Sequence, residues 1–273
     1  MKTQKERSIR MIQVMVAIAG VGLLLFGASF ARSYAGQKPA GQSLSVDEVV
    51  ARMVRMNLAR AEALRSYTSV REYHLELNGI IHKRADMAVK MTYHWPDQKE
   101  FTIISESGSE IMRSRVLKAL LDAEKEAIQN ENREKTALNA QNYEFALMSV
   151  EGSPQPKSYV LRASPKIKNK YLFNGKIWVD AQDFAVVRIE AEPAKNPSWW
   201  TKKNDITYSY QKLADFWLPA RSQTVTDVRI FGRTVLNIEY KDYQLIETRQ
   251  VQADFPGRDS LVSPETSNSA SSR

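Results

Sequence analysis

Period-two alternation through most of the chain constrains the fold more than any other feature. Tyr73, Leu75 and Leu77 alternate with Glu72, His74 and Glu76, and Ala85, Met87, Val89, Met91, Tyr93 and Trp95 alternate with polar residues. An extended backbone points successive side chains to opposite faces, so each run predicts a half-buried β-strand. Shorter runs repeat the pattern at Phe101 to Ile104, Tyr143-Phe145-Leu147, Tyr159-Leu161, Tyr171-Phe173, Ile177 to Val179 and Phe184 to Ile189. Ile206-Tyr208-Tyr210, Trp217-Leu218, Val225 to Ile230 and Val235 to Tyr240 continue it. Turn residues punctuate these runs, among them Asp180-Ala181-Gln182-Asp183 and Gly232-Arg233, so a meander of about ten antiparallel strands is expected. In the first hairpin, a two-residue Asn78-Gly79 turn would mix polar and apolar faces. A three-residue Asn78-Gly79-Ile80 loop sets Leu75 opposite Lys83 and Tyr73 opposite Ala85, and is the expected form.

Two segments change period. Ser45-Val46-Asp47-Glu48 reads as a capping box, and Val49, Val50, Met53, Val54, Met56, Leu58, Ala61 and Leu64 continue it as an amphipathic helix ending near Arg65. After Gly108 a second helical stripe runs through Ile111, Val116, Leu117, Leu120, Leu121, Ala127 and Ile128, opposed by Arg113, Lys118, Asp122 and Lys125. Gln129-Asn130-Glu131-Asn132 then breaks or redirects it. A sheet of this length either stacks as a sandwich or curls, and its concave face needs a cover, which amphipathic helices supply. The expected class is therefore α+β, mostly antiparallel β: a curled sheet with an N-terminal helix and an inserted helical segment over residues 109–139.

Export is written at the N-terminus. Lys2, Lys5, Arg7 and Arg10 precede an apolar run from Met11 to Ala31, and Ser33-Tyr34-Ala35 offers small residues where a signal peptidase reads them, with Ser29-Phe30-Ala31 as a second site. The run is also long enough to span a bilayer, so an uncleaved anchor in the inner membrane is the alternative to a cleaved signal. Either places the rest of the chain outside the cytoplasmic membrane, in the periplasm. The expected organisation is a signal over residues 1–35, a linker over 36–44, one domain over 45–250, and a Ser-, Pro- and Asn-rich disordered tail over 251–273.

Composition narrows the chemistry. The chain has no cysteine, which excludes disulfides, a lipid-modified N-terminal cysteine, thiol nucleophiles and thiolate metal sites. Losing Lys2, Lys5, Arg7, Arg10 and Arg32 with Glu6 lowers the formal charge from +8 to +4. That is mildly favourable for contact with anionic lipid, and too weak to point to nucleic acid. His74, between Glu72 and Glu76 on one strand face, is the nearest thing to a metal or acid–base cluster; a solvated face of mixed charge explains it as well. No nucleophile elbow, zinc-binding helix or phosphate loop occurs. Lys166, Lys168 and Lys170 alternate along an expected strand after Pro165 and read either as phosphate contacts or as charged edge guards. Trp199-Trp200, followed by Lys202-Lys203, reads as an interfacial aromatic–cation cluster or as loop packing.

The segment Tyr171-Leu-Phe-Asn-Gly-Lys-Ile-Trp-Val-Asp-Ala-Gln-Asp-Phe-Ala-Val-Val-Arg-Ile-Glu-Ala-Glu-Pro193, with Asp227-Val-Arg-Ile-Phe-Gly-Arg-Thr234 and Ile238-Glu-Tyr-Lys-Asp-Tyr243, resembles the outer-membrane lipoprotein-sorting protein family, the LolA/LolB-like carriers. The resemblance covers roughly Val46 to Leu245. It implies a half-open barrel with helices as a lid, an apolar cavity for the acyl chains of a lipid or lipoprotein, no cofactor and no covalent step. It also implies inner- or outer-membrane sorting machinery as partners. No functional residue is carried across individually.

The residues read on their own also describe a container better than a catalyst: an exported sheet with apolar helical cover and no catalytic cluster. A carrier, acting as a monomer with transient membrane contact, is the leading expectation, and an envelope-stress sensor binding lipids or lipoproteins through the same fold is the alternative. Met87, Val89 and Met91 on the sheet, with Val116, Leu117, Leu120 and Leu121 on the inserted helix, are the expected cavity lining, although ordinary barrel core would show the same alternation.

Overall fold

The computed structural model describes residues 44–129, 134–155, 157–169, 171–195, 201–229 and 232–251. The apolar N-terminal run, Trp199-Trp200, Lys170 and the expected tail beyond Val251 lie outside the described residues. Helix α1 (Val46–Ala63) is followed by β1 (Leu64–Asn78), β2 (Lys83–His94) and β3 (Gln98–Gly108). The insert starts as an α-turn, Glu110–Met112, passes through a π-helical turn, Arg113–Leu117, and continues as α-helix over Lys118–Ile128; together these form α2. Seven more strands follow among the described residues: β4 (Tyr143–Glu151), β5 (Ser158–Pro165), β6 (Phe173–Asp180), β7 (Val186–Pro193), β8 (Thr201–Leu213), β9 (Phe216–Val228) and β10 (Gly232–Thr248).

All ten strands belong to one antiparallel sheet, ordered β3-β2-β1-β10-β9-β8-β7-β6-β5-β4. The meander alone would leave two sheets of three and seven strands. The β1–β10 ladder, from Leu64 opposite Thr248 to Asn78 opposite Arg233, joins them. The sheet is not closed: its edges are β3 and β4, neighbours in sequence, and α2 lies in the connection between them.

Alternation sets which faces are covered. Ala85, Met87, Val89, Met91 and Tyr93 are all buried, with half-buried or exposed residues between them. The first hairpin differs from its expected register: Leu75 pairs with Ala85, Tyr73 with Met87 and Leu77 with Lys83. The connection is therefore five residues, Asn78 to His82. Lengthening it keeps the same faces but matches apolar with apolar across the ladder, and leaves Ile80 and Ile81 exposed at the tip.

The capping box at the start of α1 is present in both directions, with the Glu48 backbone N–H donating to Ser45 Oγ at 3.3 Å and the Ser45 N–H to Glu48 Oε2 at 2.8 Å. Val49, Val50 and Met53 then pack against the inward residues of β4 to β8, including Leu161, Ile177, Val179 and Ile189. Helix α2 covers β1, β2 and β10 with Met112, Val116, Leu117, Leu120 and Leu121. Ile111, expected on that stripe, is exposed, and Met112 is buried instead. The π-turn supplies the reason: its wider winding rotates everything before it, bringing Met112 beneath the helix.

The motif Gly175-Lys-Ile-Trp-Val-Asp180 has a local explanation. Gly175 lies so close to β7 that a Cβ there would come within 2.2 Å of the Glu190 carbonyl oxygen. Ile177 and Val179 point into the core. The Asp180 carboxylate accepts the backbone N–H groups of Gln182 and Asp183, closing the turn. Lys166 and Lys168 are not on a strand, because β5 ends at Pro165; Lys166 instead donates its Nζ to the Ala140 carbonyl in the connection.

Candidate functional site

A cavity of about 100 Å³ lies between the C-terminal half of α1 and the sheet, against α2. Ala61, Leu64, Val186, Phe216 and Leu218 form its apolar wall. Its polar wall is assembled from four elements: Arg60 on α1, Arg71 on β1, Lys99 on β3 and Glu124 on α2, with Tyr67, Tyr93, Tyr210 and Tyr240 between them. Burial raises the pKa of the Tyr67, Tyr210 and Tyr240 hydroxyls, so all three are neutral at physiological pH.

Glu124 ties α2 to the sheet. One carboxylate oxygen accepts Arg71 Nη1 and the other accepts Lys99 Nζ, each at 2.6 Å, and all three side chains are buried. Burial alone would push the Glu124 carboxyl up; the two cations outweigh that and hold it at about 2. The Arg71 guanidinium, which burial would pull down, is held well up by Glu124. Lys99 is lowered, because burial and the neighbouring Arg71 together exceed what Glu124 returns. Arg71 also lies over the rings of Phe101 and Tyr240, at 5.3 and 5.1 Å. A carboxylate held this way keeps both oxygens engaged, so it acts as a fastener and is a poor proton carrier.

Arg60 is fixed differently. Its Nε donates to the Asp215 carbonyl at 3.2 Å and its Nη2 to the Asp183 carbonyl, so it clamps α1 to the β6–β7 and β8–β9 turns. Burial lowers its pKa, opposed by the charges of Asp183, Asp180 and Asp215. The Asp183 carboxylate is itself engaged by Lys212 Nζ at 2.6 Å and Trp217 Nε1 at 2.8 Å.

The residues expected to line a cavity are brought together, but elsewhere. Met87, Val89, Val116, Leu117, Leu120 and Leu121 share one packed cluster between α2 and the sheet, and Met91 belongs to the adjoining cluster with Tyr67, Tyr93 and Phe216. None of the seven lines the 100 Å³ cavity. The charged wall escaped the sequence reading, although a signal for it exists. Arg71 is in phase with Tyr73 and Leu75, Lys99 with Phe101, and Glu124 lies three and four residues past Leu121 and Leu120. Each is a charge on the apolar side of its own element. His74 is bonded to Asp86 at 2.7 Å. Among the described residues no group of three or more His, Cys, Asp or Glu is placed to hold a metal ion.

Comparison with solved structures finds distant similarities to this chain. A LolA superfamily protein from Nitrosomonas europaea matches at 10% identity over 76% of this chain and 96% of that one, with a TM-score of 0.36. An outer membrane lipoprotein-sorting protein domain from Vibrio parahaemolyticus matches at 13% identity over 70% and 90%, TM-score 0.35. The MucA/MucB complex of Pseudomonas aeruginosa matches at 7% identity over 70% and 93%, TM-score 0.25. No protein-family profile and no curated sequence matches the chain. No helix among the described residues is long and apolar enough to cross a membrane.

Proposed function

We propose that this chain is an exported, non-catalytic carrier for the acyl chains of a lipid or lipoprotein, in which the open sheet is the container and α2 its lid. The observation that carries this reading is the combination at α2: an apolar underside fastened to the sheet by a buried ion triad, beside a cavity that continues beneath α1. A helix serving only as core needs no such fastening, since replacing a buried ion pair by apolar residues often costs nothing. A lid needs one, because its apolar contacts exchange for equally apolar contacts with cargo when it lifts, leaving little to hold it shut.

The energetics favour a container. Each acyl CH₂ left in water costs about 0.8 kcal/mol, so a multiply acylated cargo cannot cross an aqueous compartment unshielded. The cavity of about 100 Å³ is small beside a full acyl chain. A full chain requires α2 to move, which exposes Met87, Val89 and Met91 on the sheet and Val116, Leu117, Leu120 and Leu121 on the helix as the two apolar walls. The basic n-region and Ser33-Tyr34-Ala35 support cleavage before Gly36 and work in the periplasm, with transient contact at donor and acceptor membranes or their sorting machinery. Native mass spectrometry of protein extracted from its own periplasm tests the reading: co-purified acyl lipid is expected, and a lipid-free chain that also fails to bind a fluorescent acyl probe overturns it.

A further inference from the structure

The cavity wall carries more positive charge than a lid fastening requires. Three cations, Arg60, Arg71 and Lys99, line it against one carboxylate, Glu124. Glu124 is shared between Arg71 and Lys99, so it neutralises one charge of the two. Arg60 is only 8% exposed and its hydrogen-bond partners are backbone carbonyls, while the carboxylates that oppose its burial, Asp183, Asp180 and Asp215, are outside the cavity lining. Surplus cations in a buried site are expensive unless something anionic meets them.

Donors are left over at the same place. Arg60 Nη1, Arg71 Nε and the Tyr210 hydroxyl are buried polar atoms without a hydrogen-bond partner, and all three residues line the cavity. An unmade bond at a buried donor forfeits its full desolvation cost, so three at one cavity suggest a ligand supplying acceptors. The opposite wall, Ala61, Leu64, Val186, Phe216 and Leu218, offers such a ligand no hydrogen bond and suits hydrocarbon.

We propose that this cavity is a head-group site for an anionic amphiphile: a small carboxylate or phosphate head held by Arg60, Arg71 and Tyr210, with its aliphatic tail directed along the apolar wall of Ala61, Leu64, Val186, Phe216 and Leu218. The inference rests on the carrier reading and adds the charge of the cargo to it. Chain length is then set by how far α2 lifts, while the head is selected at a fixed place on α1 and the sheet.

Calorimetric titration of the full chain at about pH 7.5 with laurate, dodecyl phosphate, dodecanol and acetate separates the alternatives. Laurate or dodecyl phosphate is expected to bind at least about ten-fold more tightly than dodecanol, consistent with a charge-assisted hydrogen bond, and acetate only weakly. Tyr210→Phe, which removes one donor and keeps the ring, should weaken laurate about three- to ten-fold and leave dodecanol unchanged. Arg60→Gln should abolish the preference for the charged head, and the tyrosine variant decides the matter if the glutamine one fails to fold. Equal affinity for laurate, dodecyl phosphate and dodecanol overturns the head-group site and leaves the carrier intact. Failure of all three twelve-carbon ligands to bind overturns the carrier as well. Acetate binding as tightly as laurate would mark a free-anion site and overturn the amphiphile.

Discussion

Two helices cover one sheet, and they are held in different ways. Helix α1 sets Val49, Val50 and Met53 into the interior of β4 to β8, its buried Arg60 is bonded to backbone carbonyls, and a capping box starts it. Helix α2 buries a comparable apolar row against β1, β2 and β10, yet contains a π-turn and a buried carboxylate shared by two cations. Apolar burial is non-directional and stabilises any close approach, so α1 is a permanent part of the core. A buried ion triad tolerates one geometry and is costly in any other. The α2 contact is therefore specific in register, and π-turns of the kind it carries recur at functional positions.

The same substitution in each helix breaks or sharpens that contrast, and carries the largest expected effect. Val49→Glu forces a charge into the α1 core and should abolish cooperative unfolding, because the penalty of several kcal/mol is comparable with the whole stability of a domain. Leu120→Glu should instead release α2, leaving the sheet folded by circular dichroism and weakening the binding of a fluorescent acyl probe. If Leu120→Glu unfolds the whole protein, α2 is core; if it melts like wild type and binds probe undiminished, α2 is no lid.

Next in size is Glu124→Ala, which strands Arg71 and Lys99 in a buried site. Denaturant titration should show a loss of about 3–5 kcal/mol, with proteolysis entering first at α2. A loss below about 1 kcal/mol would mean that the triad is hydrated and does not fasten the helix.

Acid should loosen α2 before α1. Glu124 titrates at about 2 in the folded protein, below the ordinary carboxylate value, so its contribution is complete above roughly pH 4.5 and disappears as pH falls toward 2. Amide exchange in α2 should be steady from about pH 7 to 5 after correction for intrinsic rates, then rise, relative to α1. Other carboxylates, including Asp86 and Asp183, are also held down, so the diagnostic quantity is the difference between wild type and Glu124→Gln. Parallel curves for the two proteins would remove Glu124 from the acid response.

The smallest effect belongs to the α1 cap. Ser45→Ala removes the acceptor of the Glu48 N–H and should cost about 1 kcal/mol, with faster exchange confined to the first turn of α1. Any change in acyl-probe binding from this substitution would contradict the independence of the two covers.

Element identity was legible in the chain because a face buried against a core repeats at the period of its own backbone. The burial of Ala85, Met87, Val89, Met91 and Tyr93 follows from that rule, as does the helix after Ser45. Errors fell where the period is interrupted. The π-turn rotated Ile111 outward and Met112 inward, and the first hairpin took a five-residue connection because apolar pairing across the ladder outweighed a short turn. The seven expected lining residues are apolar and buried, but alternation cannot distinguish a packed cluster from a wall awaiting cargo.

Sequence by itself therefore determined the strands, the two amphipathic covers and the exclusion of thiol chemistry, since each is a property read without any tertiary contact. Tertiary structure decided which strand closes on which, and so joined the first three strands to the last seven through β1 and β10. It also decided that Arg71, Lys99 and Glu124, each an isolated charge on its own element, meet in one buried triad beside Arg60. Glu124 lies 25 residues beyond Lys99 and 53 beyond Arg71. A charge on an apolar face carries no sign, in its own neighbourhood, of what will neutralise it; only the pairing of distant strands and the docking of α2 bring the partners within hydrogen-bond range.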